Sequence, residues 1–141
     1  KTALEKAIDI EPTFEEPYYL MGNLLLKEAI ETAIQYYRRA ITLDPNYQLA
    51  LRELGSALLR DDDTVDEGIE LLQRAIALAP DDGWSHAYLA TVYWKRQRFD
   101  DADSEYRRAI EAFPDFPLFR KYYADFRRIV WGEDAEESEE L

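Results

Sequence analysis

The sequence predicts an all-α protein, an α-solenoid of antiparallel helix pairs. Two observations predict it. The pattern Ala-Ile-x-x-x-Pro occurs four times, as Ala7-Ile8…Pro12, Ala40-Ile41…Pro45, Ala75-Ile76…Pro80 and Ala109-Ile110…Pro114, with its prolines 33, 35 and 34 residues apart. Upstream of each proline, small and large side chains fall at helical spacing. Self-similarity at a fixed period of this length is the signature of a stacked array of helical units.

The second half of each unit reads as a helix that ends at its proline. Leu4, Tyr37, Leu72 and Tyr106 each precede the motif alanine by one helical turn, and Lys6, Arg39, Arg74 and Arg108 sit immediately before it. Ala33, Tyr37 and Ala40, like Ala102, Tyr106 and Ala109, lie at i, i+4 and i+7, which is one face of a helix. Gly68, Leu72 and Ala75 give the same face with a weaker first position. Proline disfavours the α conformation in the residue before it and stops the helix.

The first half of each unit is helical as well. Its face reads Tyr18, Met21, Gly22, Leu25, then Leu51, Leu54, Gly55, Leu58, then His86, Leu89, Ala90, Tyr93. The small residue lets the partner helix come close, and the large ones fill the space around it. Helix pairs are expected near 15–27 and 29–43, 48–60 and 65–79, and 83–96 and 99–113. A lone second helix is expected near 2–11 and a lone first helix near 116–131. The repeats then run 13–45, 46–80 and 81–114, with a truncated one at 1–12, a capping helix at 115–131 and an acidic tail at 132–141.

These residues resemble the tetratricopeptide repeat (TPR) family. That family shows large-x-x-Leu-Gly-x-x-Tyr in its first helix, then Ala-x-x-x-Phe, a further Ala and Pro. Leu51, Leu54, Gly55 and Leu58, and Tyr18, Met21, Gly22 and Leu25, look like the first element. Ala33, Tyr37, Ala40 and Pro45, and Ala102, Tyr106, Ala109 and Pro114, look like the second. The first unit is one residue short between Gly22 and Ala33, and the second is one long between Gly55 and Gly68, where it carries Asp61-Asp62-Asp63. The third has His86 where a large apolar residue is usual.

The resemblance implies a right-handed superhelix with a concave groove lined by the first helices, and a role in holding another protein. The helical period places Glu16, Tyr19, Asn23 and Leu26 off the packing face of the first unit. In the second, Leu49, Arg52, Ser56 and Leu59 take these places, and in the third Trp84, Ala87, Thr91 and Trp94. The last helix offers Leu118, Lys121, Asp125 and Arg128. Tryptophan and tyrosine dominate interface energetics. A peptide or helix with apolar anchors and some acidic residues is the expected ligand, and its affinity should fall with added salt. One subclass of the family clamps the C-terminal carboxylate of chaperones with a set of Lys, Asn and Arg side chains. Asn23 matches one slot, but Tyr19, Glu53, Trp84 and Tyr88 occupy the others, so chaperone-tail binding is not expected.

Composition narrows the function further. Thirty Asp and Glu against 17 Lys and Arg give a net charge of −13, which opposes nucleic acid and anionic membranes. There is no cysteine, so thiolate chemistry is excluded. The single histidine, His86, cannot build a chain of histidine–carboxylate pairs or a histidine-rich metal site, and its packing position predicts a satisfied, partly buried imidazole. The Asp61–Asp63 run lacks the glycine and bidentate glutamate of a calcium loop and reads as a solvated turn. Arginine pairs at 38/39, 107/108 and 127/128 interleave with aromatics, but pairs such as Glu70–Arg74, Asp103–Arg107 and Glu105–Arg108 account for them on helix surfaces. No triad order, phosphate loop or metal-ligand spacing is present, so neither catalysis nor a cofactor is expected. The chain opens at Lys1 and reads as cut from something longer. The rival to a binding module is therefore a structural spacer or a self-association element, acting through Leu4, Ala7 and Ile8 on the unpaired first helix. Trp131 is expected to close the C-terminal end of the core.

Overall fold

The computed structural model describes residues 29–132. Among them are six helices and no strand: α1 (Ile30–Leu43), α2 (Gln48–Leu58), α3 (Val65–Leu78), α4 (Gly83–Lys95), α5 (Phe99–Ala112) and α6 (Pro117–Trp131). Their ends fall within two residues of those expected. The helices expected near 2–11 and 15–27, with Leu4, Ala7, Ile8 and the acidic run from 133, lie outside the described residues. The chain divides into two compact units at the Ala79–Pro80 junction. The first holds α1, α2 and α3, and the second holds α4, α5 and α6.

Proline sets the helix ends. The residues before Pro45, Pro80 and Pro114 are Asp44, Ala79 and Phe113, with φ/ψ of −140/96°, −142/82° and −132/76°. Each has left the α region, as the clash with the proline ring demands. Each still donates its N–H to the carbonyl of the motif alanine, Ala40, Ala75 or Ala109, which completes the last turn. The starts are made differently. The Asp82 carboxylate accepts from the N–H groups of Trp84 and Ser85 at 3.2 and 3.4 Å and begins α4. Pro117 occupies the first turn of α6, where its missing N–H costs nothing. Gly132 ends α6 at φ +68°, a left-handed conformation that suits glycine.

In the first unit Ala33, Tyr37, Leu51, Leu54, Leu58, Leu71 and Ala75 form the core, with Ile34 and Ile41 against it. Burying each large side chain contributes about 1.5–3 kcal/mol. The α2–α3 crossing turns on two glycines. A Cβ on Gly68 would stand 2.7 Å from the Gly55 carbonyl oxygen, and one on Gly55 would stand 3.0 Å from the Gly68 oxygen. Gly68 is thus the reciprocal half of a backbone-to-backbone contact, and not the weak position that its helix face suggested. Thr64 closes the long α2–α3 turn by donating its hydroxyl to the Leu58 carbonyl at 2.8 Å. Arg38 on α1 grips Glu67 on α3 with two hydrogen bonds of 2.7 and 2.9 Å. This contact lowers the Glu67 pKa and raises that of Arg38. Both groups are near half exposed, so the pair contributes at most about 1 kcal/mol.

The second unit is held by aromatic rings. Tyr106 on α5 meets Tyr123 and Phe126 on α6 at centroid distances of 6.0 and 5.4 Å. The Tyr123 hydroxyl donates to Asp103 at 2.5 Å. Burial, reinforced by that carboxylate, pushes the Tyr123 pKa up to about 12. Asp103 also receives Arg107 at 3.0 Å, as expected from the sequence, and Glu105 receives Arg108 at 2.9 Å. Arg74 departs from expectation: it donates to the Pro45 carbonyl at 3.1 Å and not to Glu70. Trp131 meets Phe126 edge-on at 5.1 Å but stays 41% exposed, so it covers the end of the α6 aromatic row without being enclosed.

Candidate functional site

The residues expected to line the groove fall on α2 in the first unit and on α4 and α6 in the second. Glu16, Tyr19, Asn23 and Leu26 lie outside the described residues. On α2, Leu49 is exposed, while Arg52, Ser56 and Leu59 are half-buried. Arg52 turns along its own helix to pair with Glu53 at 3.1 Å. The Ser56 hydroxyl donates to the Glu53 carbonyl at 3.0 Å. Leu59 folds over the α2–α3 crossing, since its Cδ2 would lie 2.9 Å from a Cβ on Gly68. Leu49 and Arg52 therefore remain as the side chains that α2 presents outward, one apolar and one basic.

On α4 the four positions differ in kind. Ala87 is 4% exposed and offers no outward side chain. Thr91 is exposed, with its hydroxyl donated to the Ala87 carbonyl at 3.0 Å. Trp84 and Trp94 are half-buried, and each leans on α6. The Trp84 ring lies edge-on to Phe116 and Phe119 at 5.7 and 5.1 Å, and the Trp94 ring edge-on to Phe126 at 5.5 Å. Each tryptophan thus packs on one side and is open on another. On α6, Lys121 and Arg128 are exposed, Leu118 and Asp125 are half-buried, and Arg128 reaches Asp125 at 3.4 Å.

A cleft of about 650 Å³ opens beside Trp94 and Thr91, walled also by Lys95, Gln97, Phe99, Ile129 and Val130. Ile129 is 60% exposed and adds apolar area to the wall beside Trp94 and Phe99. Gln97 takes φ 63° to turn the chain from α4 into α5, which brings Phe99 to the wall. The sequence reading missed Ile129, although it follows Asp125 by one helical turn and the period alone could have found it. It also missed Lys95, Gln97 and Phe99, which reach the cleft through a turn that no period describes. A second cleft of about 470 Å³ lies by Trp84, with Ala112, Phe113, Pro114, Asp115 and Phe116 around it.

Within the second unit the lone histidine is fully engaged. His86 Nδ1 lies 2.6 Å from Glu105 Oε2, and its Nε2 lies 3.0 Å from the Pro80 carbonyl oxygen. The imidazole is satisfied as expected, but by a histidine–carboxylate pair that the sequence reading did not foresee. Burial by itself would lower the His86 pKa. The Glu105 and Pro80 acceptors outweigh burial and the nearby Arg108 charge, so the pKa is raised.

Antiparallel helix pairs with small residues at the crossings and pre-proline ends define a helical-repeat protein. The comparisons with known proteins say which one. Two tetratricopeptide repeat models match residues 24–83 and 59–125. The chain belongs to the tetratricopeptide repeat family. It is similar to a TPR repeat-containing protein of Treponema pallidum (strain Nichols), with 30% identity over 79% of this chain, and it spans about 15% of that protein's length. Among solved structures it resembles a crystal structure of MamA, with a TM-score of 0.78, 24% identity, and coverage of 98% of this chain and 85% of that one. It likewise resembles MamA 41-end from Desulfovibrio magneticus RS-1, with a TM-score of 0.78, 20% identity, and coverage of 97% and 76%. Identities this low speak to the fold alone. Tetratricopeptide repeats are in general scaffolds for protein–protein interaction.

Proposed function

We propose that this chain is a non-catalytic module that holds a partner protein segment against the outward faces of α4 and α6. The partner segment carries apolar anchors and acidic residues. The observation that carries this reading is the open cleft of about 650 Å³ beside Trp94, with a 60%-exposed Ile129 in its wall and Lys95 at its edge. An aromatic ring fixed on one side and open on the other offers apolar area that is already ordered, so docking onto it costs little side-chain entropy. Lys121 and Arg128 on α6 add basic groups to this apolar surface, and in the first unit α2 carries its own apolar and basic side chains, Leu49 and Arg52. On a chain of net charge −13 these basic groups are local points of attachment for acidic side chains of the partner.

The test is capture of partners by the wild-type chain beside Ile129→Asp and an outer-face control, Glu70→Lys, identified by mass spectrometry. A partner retained by the wild type and the control but lost by a folded Ile129→Asp supports the reading. Equal recovery by all three removes the cleft from the interface.

A structural or self-associating role is the second reading. Ile129 and Trp131, both exposed near the end of α6, favour it. Light scattering after size-exclusion chromatography tests its self-associating form, because a strict monomer at high concentration rules out self-association.

A further inference from the structure

The smaller cleft has a different chemistry from the surface just described. Of its six lining residues, Trp84, Phe113 and Phe116 are aromatic and Asp115 is acidic, and Arg120 reaches its edge by donating to the Pro114 carbonyl at 3.2 Å. The rings are held in place from behind by Phe119, which is fully buried and meets Phe116 at 4.9 Å, Trp84 at 5.1 Å and Phe113 at 6.1 Å. Gly83 makes room for this arrangement, because a Cβ there would stand 2.7 Å from the Phe113 ring and 2.8 Å from that of Phe119. Phe113 nonetheless remains 42% exposed. Among the described residues the exposed Asp115 carboxylate makes no ion pair.

The backbone around the cleft favours a cation as well. Ala112 is the last residue of α5, so the carbonyl end of that helix adjoins the space. Two helix starts lie close by and would oppose a positive charge. The Asp82 carboxylate already occupies the first N–H groups of α4, and Pro117 removes one N–H from the start of α6, so the α5 carbonyl end and the Asp115 carboxylate have only the remaining N–H groups of that uncapped start to outweigh. Aromatic faces attract a desolvated cation through their quadrupole, and a carboxylate at the rim adds a charge-assisted hydrogen bond.

We propose that this cleft seats the arginine or lysine side chain of a basic peptide segment, with its charge over the aromatic rings and paired with Asp115. The inference stands apart from the function proposed above, whose basic groups call for acidic partners. Trp84 and Trp94 are ten positions apart on α4, which sets the two clefts about 15 Å apart along it.

Nuclear magnetic resonance titration of the chain tests this. The probe is an acetylated pentapeptide with two arginines in a glycine background, and the control replaces both arginines with citrulline, which keeps the shape and loses the charge. The expected result is a saturable shift of the Trp84 indole N–H and of the Phe113 and Phe116 amides. Affinity for the arginine peptide should be about fivefold higher than for citrulline. Asp115→Lys, an exposed substitution whose fold is checked by amide dispersion, should remove the difference. Equal shifts with citrulline, no shift at millimolar peptide, or shifts as large at the Asp61–Asp63 turn as at Trp84 would overturn the proposal.

Discussion

The His86 imidazole and the Glu105 carboxylate, 2.6 Å apart on α4 and α5, form a buried pair whose second ring nitrogen faces the Pro80 carbonyl at 3.0 Å. Both neighbours are hydrogen-bond acceptors. A neutral imidazole has one N–H and can satisfy one of them, whereas the imidazolium has two and satisfies both. The arrangement therefore favours the charged ring despite its burial, which is why its pKa is raised and not lowered.

Stability should depend on pH through this pair. The folded-state pKa of His86 is raised above its ordinary value of 6.5, so its stabilisation is fully present below that value and is lost as pH rises through the folded-state pKa. Self-repulsion in an acidic protein also eases at low pH, so the wild type alone does not isolate the effect. The difference in urea unfolding free energy between wild type and His86→Gln should be larger at pH 6 than at pH 9. A difference that does not change with pH would show that the pair does not respond to protonation.

Replacing Gly68 by alanine should destabilise the first unit. Helix propensity predicts the opposite, a gain of up to about 1 kcal/mol. The new methyl, however, would stand 2.7 Å from the Gly55 carbonyl oxygen, and backbone cannot swing aside as a side chain can. Forcing α2 and α3 apart should cost about 1–3 kcal/mol. The midpoint of chemical unfolding reports which effect wins, and a rise in midpoint would refute the close-contact account.

Asp82 should matter more than an ordinary turn residue. It receives the Trp84 and Ser85 N–H groups on Oδ1 and the Ser85 hydroxyl on Oδ2 at 2.8 Å, while only 8% exposed. Asp82→Ala removes the cap and leaves the buried Ser85 hydroxyl without this acceptor. A loss of about 1–2 kcal/mol is expected, with Asp82→Asn losing less because its side-chain oxygen can still cap. Thermal unfolding of both variants checks the order. Equal losses would mean that carboxylate charge, and not the cap, is what counts.

Much of this fold was legible before any coordinates, and the reason is local. A proline dictates the conformation of the residue before it, so Asp44, Ala79 and Phe113 end their helices where the motif says. Helical period likewise places Ala33, Tyr37 and Ala40 together in the core. What the sequence hid depends on how separate helices meet. Gly68 looked like a flaw in a face until Gly55 was seen opposite it. His86 and Glu105 are 19 residues apart, on faces that only the α4–α5 crossing brings together. The same limit blurs the candidate site. Period tells which side of α4 points away from α5, but not that α6 covers part of that side and holds Trp84 and Trp94 by one edge.

Charge reversal on the outward face gives the sharpest test of the proposed function, and the choice of residue decides whether the result can be read. Arg52 is a poor choice. It is half-buried and pairs with Glu53, so Arg52→Glu would set two carboxylates side by side and cost stability along with any binding. Lys121 is exposed on α6, and substitution at such a position usually changes stability by no more than about 0.5 kcal/mol. Lys121→Glu should therefore leave the unfolding midpoint in place while weakening an acidic partner several-fold. Because exposed charges are screened by salt, the gap between wild type and variant should narrow as ionic strength rises from about 0.05 to 0.5 M. An unchanged affinity at low salt would place the partner elsewhere than on this face of α6. A loss that persists undiminished at high salt would mean that Lys121 contributes through packing of its aliphatic stem and not through its charge.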